Sequence, residues 1–161
     1  MNPLNTSFFA LCLPVYPVLP LKHKDDFDGV RQRSPFLFTV ILAIACRTYR
    51  KHTESNPRSD RPALSISAID EISRMAHAHL GASMFRKQHQ VADVQAILLL
   101  SMFVLTGLGQ SPDQWMLSGH CCRVGYRIGL DKAYLRAADS ARISDKNDVV
   151  ERWQAWLAWY R

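Results

Sequence analysis

The feature that most constrains the fold is the helical spacing of apolar residues, interrupted by proline, glycine and polar stretches. In several segments between residues 34 and 160, apolar side chains recur at intervals of three and four residues, which places them on one face of an α-helix. No segment alternates apolar and polar residues as a half-buried strand does, and no repeat of fixed period occurs. The sequence predicts an all-α fold, a multi-helix orthogonal bundle or array of about five helices.

The starts of these helices follow from capping residues. Ser34 and Pro35 open the first, with serine as N-cap and proline at the first helical position. Apolar residues surround this helix, so it should be central, and Arg47 near its end would complement the helix dipole. A polar linker is predicted from His52 to Pro62. The later helices are predicted over residues 65–87, 92–106 and 112–128, and from Asp145 onward.

The first 33 residues form a different kind of segment. Apolar residues are interleaved there with Pro14, Pro17 and Pro20, and proline forbids a continuous helix. We predict a non-helical, extended, proline-containing segment over residues 1–33, followed by a helical domain over residues 34–161. The segment would lie as an apolar strap across the core. The alternative is a polyproline ligand for an SH3-like partner.

Composition excludes several classes of protein. The chain has 161 residues, of which 48% are hydrophobic and 21% charged, as expected for one domain with a sizeable core rather than a disordered chain. The formal charge is +6, but the densest basic group, from Arg47 to Arg61, is diluted by Glu54 and Asp60. Nucleic-acid binding normally concentrates basic residues on one face. We therefore expect no direct nucleic-acid binding.

The cysteines and the apolar runs indicate in which cellular compartment the protein is expected. The four cysteines, Cys12, Cys46, Cys121 and Cys122, include no Cys-x-x-Cys pair, which favours a reduced intracellular protein. The start of the chain lacks the basic residues of a secretory signal. The longest later apolar run, from Ala96 to Leu105, is too short to span a bilayer. A soluble protein without a membrane partner is expected.

One stretch of the sequence resembles a family landmark. It reads Trp115-Met-Leu-Ser-Gly119-His-Cys121-Cys-Arg123-Val-Gly125-Tyr-Arg-Ile128-Gly129-Leu130-Asp131, and Arg152-Trp153-Gln-Ala-Trp156-Leu-Ala-Trp159 follows it. It resembles the regulatory, or middle homology, domain of fungal zinc-cluster transcription factors. There a Trp-x-x-x-Gly-x-Ala-x-Arg-x-Ala-x-x-Leu-Gly-Leu-His run precedes a helix rich in arginine and tryptophan. The motif positions are Trp115, Gly119, Arg123, Gly129, Leu130, Arg152 and Trp153.

Two further stretches are similar to the same family, in the same order. The residues from Ser34 to Arg47 resemble its early Ser-Pro-x-Leu-x-x-x-Ile-Leu-Ala-x-Ala-x-Arg helix, and those from Val94 to Ser101 its Val-Gln-Ala-x-x-Leu-Leu run. The resemblance implies a nuclear regulatory domain that controls RNA polymerase II transcription through protein contacts, homo- or heterodimer contacts or a small-molecule effector. It implies no enzyme activity.

The chain also departs from the family pattern. Cys121 and Gly125 replace the usual alanines, Asp131 replaces histidine, and Tyr160-Arg161 stands where relatives carry an Asp-Arg pair. The six-cysteine binuclear zinc cluster that gives these factors DNA binding is absent, and four scattered cysteines cannot build it. Zinc is expected only in the DNA-binding module of full-length relatives. This chain alone should not read DNA.

The fourth predicted helix carries costly glycines. Gly119 and Gly125 each cost about 1 kcal/mol against alanine inside a helix, and close helix approach would offset this. Gly129 can take the left-handed conformation that ends the helix, with Leu130 packing back on it. Two stripes suggest burial on more than one side, one of Trp115, Gly119, Cys122 and Tyr126 and one of Leu117, Cys121, Val124 and Ile128.

Two arginines on this predicted helix would then need partners. If the helix is buried on two sides, Arg123 and Arg127 require either a carboxylate or a route to solvent. Glu71 and Asp93 are the candidate carboxylates on other helices.

Residues 153–161 are predicted to belong to a tryptophan-rich helix, and they contain no helix stop signal. Trp156, Trp159 and Tyr160 could contact a partner; alternatively, the tryptophans complete the domain core, which we favour because a stripe at helical spacing is usually core. We expect further sequence of the same domain, or another chain, to cover this surface. On this view the chain is the amino-terminal portion of the domain. The alternative is a stand-alone helical dimerisation or interaction module, such as a truncated paralogue.

The sequence assigns no catalytic, cofactor-binding or metal-ligating residue. His77 and His79 are two positions apart on a helix and face different directions, unlike the i, i+4 histidines of a zinc helix. The adjacent residues of His120-Cys121-Cys122 diverge in the same way. No Gly-x-Ser-x-Gly elbow and no glycine-rich phosphate loop occurs. A small metal- or thiol-dependent enzyme is the third and least favoured hypothesis.

Overall fold

The computed structural model describes residues 18–19, 27–55, 64–103 and 113–132. Five α-helices and a short 3-10 helix lie within these ranges, and no strand does. The helices are α1 (Phe27–Arg33), α2 (Pro35–Ser55), α3 (Ile66–Met84), α4 (Val91–Met102) and α5 (Gln114–Arg127), and the 3-10 helix spans Leu130–Lys132. The predicted all-α fold is confirmed. The predicted helix near Asp145 lies outside the described residues.

Helix α2 is the centre of the fold, as predicted. Its N-cap is Ser34, whose Oγ accepts a hydrogen bond from the Leu37 backbone N–H at 3.2 Å. Ten of its residues are buried, distributed around the helix rather than along one stripe. Helix α2 packs against α1, α3 and α4, so its side chains meet neighbours on several sides.

Helix α4 is equally central, which the sequence did not predict. A single apolar stripe was expected, yet every residue from Asp93 to Leu100 is buried. The physical reason is position, because α4 lies against α2 on one side and α5 on another. None of the described helices is both long and apolar enough to cross a membrane.

Capping residues set the ends of α3 and α5. Ser65 caps α3, and its side chain accepts a hydrogen bond from the Ala68 N–H at 3.3 Å. After α5, Gly129 has φ 71°, a conformation that an L side chain would strain. The chain then reverses and buries Leu130, which is 1% exposed. The predicted left-handed conformation of Gly129 and the predicted burial of Leu130 are both confirmed.

Two predicted boundaries are wrong. Residues 27–33, predicted as part of a non-helical segment, form α1, in which Val30 is buried and the Phe27 ring lies 4.8 Å from the Phe38 ring. The prolines behind that prediction end at Pro20, so they do not restrict these residues. The helix predicted to end near His52 continues to Ser55.

The longer helix changes the role of Arg47, which lies about two turns before the end of α2 and not in its last turn. A helix dipole acts mainly within the last turn. Arg47 instead is half-buried near Asp70 of α3.

The N-terminal strap agrees with the two residues described there. Val18 and Leu19 are fully or almost fully buried, and the Val18 carbonyl accepts a hydrogen bond from Gln95 Nε2 at 3.1 Å. Gln95 lies in the middle of α4 and is 1% exposed. This bond joins residues 77 positions apart. Pro14, Pro17 and Pro20, on which the polyproline alternative depends, lie outside the described residues.

The substitution Gln95→Leu tests this link. The apolar side chain would leave the Val18 carbonyl buried without its donor, which costs about 1–3 kcal/mol. We expect the free energy of unfolding, measured by urea denaturation of the 161-residue chain, to fall by that amount. The control Gln32→Leu alters an exposed glutamine of α1 and should change it by less than about 0.5 kcal/mol. Equal effects of the two variants would contradict the role given to Gln95.

Candidate functional site

The stretch that resembles the family landmark forms α5, which has one buried and one exposed side. Leu117, Cys121 and Val124 are at most 2% exposed and form the buried side. The Cys121 thiol lies 3.8 Å from the Val94 carbonyl oxygen of α4, and α5 packs on α4. The other stripe that the sequence predicts to be buried, which runs from Trp115 to Tyr126, is not buried. Trp115 is 78% exposed and Tyr126 59% exposed, while Cys122 is half-buried.

The predicted burial of α5 on more than one side is therefore wrong for the described residues. The surroundings of Gly119 agree with this, because among the described residues a Cβ added there would meet only Arg123 Nη1 at 3.7 Å, an ordinary contact. No helix approaches Gly119 closely within the part of the chain that the structure describes. Gly125, in contrast, is buried. Among the described elements, the main neighbours of α5 are α4 and the 3-10 helix, and Trp115 and Tyr126 on the opposite side are exposed.

The expected ion pairs of α5 are also absent from the described residues. Arg123 and Arg127 are exposed, so solvent satisfies them without a carboxylate. Glu71 pairs instead with Arg74 on its own helix. Asp93 pairs with Arg86. The carboxylate partners were expected from burial of α5 on two sides, and Arg123 and Arg127 lie on its exposed side instead.

We define the α5 outer face as Trp115, Met116, Cys122 and Tyr126. Trp115, Cys122 and Tyr126 are seven and four residues apart and share one stripe, which extends over about 16 Å of helix. Met116 lies beside Trp115 and is 57% exposed. Aromatic residues that protrude from a rigid helix are the typical anchors of protein contacts. This face is the candidate contact surface in the described part of the chain.

A cleft at the carboxyl end of α5 is the second candidate site. Its volume is about 1090 Å³, and it lies between the α1–α2 junction, the loop from Phe85 to Gln90, and the end of α5. Arg33 and Arg127 are among the cations that line it. This cleft has no signature in the sequence, because its walls come from segments up to 95 residues apart, from Arg33 to Ile128, and none carries a recognisable motif.

Asp93 and His89 form the buried polar wall of the cleft. The Asp93 side chain is 3% exposed, its Oδ1 accepts a hydrogen bond from Arg86 Nη1 at 3.1 Å, and its Oδ2 accepts one from the Gln90 backbone N–H at 2.9 Å. His89 Nδ1 lies 3.9 Å from Asp93 Oδ2 and has no hydrogen-bond partner among the described residues. The carboxylate thus fixes the loop to the start of α4.

Behind this wall His89 meets His120 of α5. The two rings are 6.4 Å apart, edge to face, and His120 Nε2 is buried without a partner in the described part of the molecule. Burial, then the neighbouring His89 and Arg123, lower the pKa of His120, which favours the neutral form of the ring. No group of three or more metal-ligating side chains occurs among residues 18–19, 27–55, 64–103 and 113–132.

His77 and His79 have different surroundings, as their spacing predicts. Burial and the nearby Arg47 lower the pKa of His77, whereas the His79 ring lies 6.2 Å from the ring of Phe36. Because the two imidazoles belong to separate contacts, the structure does not bring them together as a pair of ligands.

Two of the described thiols, Cys46 and Cys121, are unsuited to nucleophilic chemistry or to a zinc cluster. Burial raises the pKa of Cys46 from 9.0 to about 11. Burial and the adjacent Cys122 raise the pKa of Cys121 from 9.0 to about 12. The thiolate is the reactive and metal-binding form, so both groups are held in the inert form. They also lie on different helices, which does not fit a site of six thiolates. Cys12 lies outside the described residues.

Labelling of the thiols in the native protein tests whether Cys46 and Cys121 are unreactive. Near neutral pH the thiolate fraction of Cys46 should be about a hundredfold below that of a thiol of pKa 9.0. We expect iodoacetamide to modify the half-buried Cys122 before Cys46 and Cys121, as measured by peptide mapping with fragmentation between the adjacent cysteines. The variant Cys122→Ser should leave Cys46 and Cys121 slow. Rapid native labelling of Cys121 in that variant would favour a thiol-dependent function.

Several predicted residues lie outside the described part of the chain. These are the motif residues Arg152 and Trp153 and the candidate partner residues Trp156, Trp159 and Tyr160. Their placement and role stay predictions. Of the motif residues within the described ranges, Leu130 is buried, Gly119 is half-buried, and Trp115 and Arg123 are exposed.

Comparison with known proteins gives one informative similarity. The chain is 27% identical over 135 residues to the transcriptional activator of proteases prtT from Emericella nidulans, which covers 84% of this chain and 17% of that protein. No family model and no solved structure matches the chain. The similarity supports a relationship to a fungal transcription factor. The chain spans about a sixth of the length of this relative.

Proposed function

We propose that this chain is part of the regulatory domain of a fungal zinc-cluster transcription factor. In this proposal it acts in the nucleus, within a regulator of RNA polymerase II transcription, through protein contacts or a small-molecule effector. It does not read DNA itself, and it carries no catalytic residue. Regulation is a shift of population between helical packings, driven by whatever binds one packing better than another.

The similarity to a fungal transcriptional activator is the observation that carries this proposal. It extends over most of the chain, so it includes the helical segments of the core and not one amphipathic helix alone. The three stretches that resemble the family add to it in the same order. The structure supports a contact role, because α5 buries one side and presents Trp115 and Tyr126 to solvent on the other.

A reporter assay tests the proposal. The 161-residue chain, fused between a heterologous zinc-cluster DNA-binding segment and an activation segment, would be expressed in a filamentous fungus. Trp115→Ser combined with Tyr126→Ser removes both aromatic anchors of the α5 outer face. Losing one such anchor costs about 2 kcal/mol of binding, or about thirtyfold in affinity. We expect reporter output per molecule of fusion protein to change several-fold.

The matched control is on α3. Ile66 and Met75 are 58% and 45% exposed, so Ile66→Ser with Met75→Ser removes similar exposed apolar surface from another helix. Reporter output should change in the α5 double variant and stay unchanged in this α3 double variant. If scrambling residues 92–132 also left output unchanged, the chain would have no regulatory role in the fusion and the proposal would fail.

The exposed α5 outer face favours a second candidate, a stand-alone helical module that pairs with another copy of itself. Trp115, 78% exposed, is large enough to anchor such a contact. In this case the function is association, and regulation follows only from what the partner does.

Light scattering after size exclusion separates this candidate from the first. A homodimer would give twice the 18.3 kDa mass of the chain, and the mass should halve in the double variant Trp115→Ser, Tyr126→Ser. The α3 control variant should stay dimeric. A monomer at every concentration, with and without these substitutions, would exclude pairing through this face.

A further inference from the structure

The cleft at the end of α5 carries an excess of positive charge. Among the described residues that line it, four cations from three separate elements stand against one carboxylate: Arg33, Arg86, Lys87 and Arg127 against Asp93. Arg33 has a further interaction of its own, so the excess rests on Lys87 and Arg127. Separate elements hold these charges around a common space. Charge of one sign in a concave site concentrates its counter-ions there.

The carboxylate does not neutralise this excess. Both oxygens of Asp93 are used, one by Arg86 and the other by the backbone N–H of Gln90. Its side chain is almost fully buried, so it acts as a structural tie of the loop. Lys87 and Arg127 are exposed, so their charges attract an anion that enters the cleft.

A second observation concerns a polar side chain in the wall of the cleft. The side chain of His89 lines the cleft and is 3% exposed. Its Nδ1 has no hydrogen-bond partner within the described ranges, and the nearest carboxylate oxygen, at 3.9 Å, is beyond hydrogen-bond distance. A buried polar atom without a partner raises the free energy of the folded state. Because Nδ1 itself has almost no exposed surface and faces Asp93, a ligand in the cleft would bond to it only after the ring turns toward the cleft.

The cleft is also partly apolar and has the size of a small-molecule site. Pro35, Phe36 and Ile128 contribute to its lining. Its volume of about 1090 Å³ is near the upper end of typical ligand pockets, about 300–1,000 Å³. Such sites combine apolar walls with a few polar groups that orient the ligand.

We infer that this cleft binds a small organic anion, a carboxylate or phosphate attached to an apolar body. The charged group lies beside Lys87 and Arg127, and the body rests on Pro35 and Ile128. Its meaning as an effector site rests on the proposed regulatory function, whereas binding itself does not.

Calorimetric titration of the purified 161-residue chain tests this inference. The probes are phenyl phosphate and benzoate, with neutral benzamide as the control ligand, all at constant ionic strength. For ligands of this size we expect a dissociation constant on the order of 1 mM for the anions. Benzamide should bind at least about tenfold more weakly, because it lacks the charge that the cations recognise.

Matched substitutions assign the binding to the cleft. Lys87→Gln and Arg127→Gln should each weaken phenyl phosphate binding by about tenfold. Lys51→Gln and Arg123→Gln remove exposed cations that do not line the cleft and should leave binding unchanged. All four positions are exposed, and a thermal melt of each variant checks that the fold persists.

Three results would overturn the inference: no heat of binding for either anion, equal binding of benzamide, or equal weakening by the control substitutions. Binding of an acidic hexapeptide in place of phenyl phosphate would also overturn the small-molecule assignment. Because calorimetry reads only binding, such a failure leaves the reporter prediction standing. Unchanged reporter output leaves the binding result standing in turn.

Discussion

The structure depends on the burial of two helices on several sides at once. Helix α2 packs against α1, α3 and α4, and α4 packs against both α2 and α5. Surface helices bury a single stripe, whereas α4 buries every residue from Asp93 to Leu100. Such a helix must also satisfy its polar side chains internally. Gln95 does so by bonding to the Val18 carbonyl, so the same constraint that centres α4 also holds the strap.

The sequence predicts most of this fold because its signals are local. Ser34, Ser65 and Gly129 mark helix ends through the conformation and hydrogen bonds of one turn, and all three occupy those places. Which sides of a helix are covered depends on neighbours distant in sequence. The glycines of α5 suggested cover on both sides, yet no helix lies close to Gly119 in the described part of the molecule. The cleft escapes prediction for the same reason, since residues far apart in sequence assemble it.

Helix α5 serves two purposes with its two sides. The buried side, with Leu117, Cys121 and Val124, fastens it to α4. The exposed side carries the large side chains of Trp115, Met116 and Tyr126. Neighbouring apolar side chains that are exposed together often mark a contact site. The resemblance in sequence, which includes Trp115 as well as Leu130, is therefore to a packing element and a surface together.

The cleft and the α5 outer face are connected through one rigid element. Arg127 and Ile128 end α5 and line the cleft, while Tyr126, the preceding residue, belongs to the outer face. A ligand that draws Arg127 inward must act on the last turn of α5, and a helix transmits such a displacement along its length. A change at the outer face follows only if the ligand prefers one position of α5 over another, since equal affinity for both shifts nothing. Conversely, a partner that selects one position of α5 must alter affinity in the cleft by the same factor.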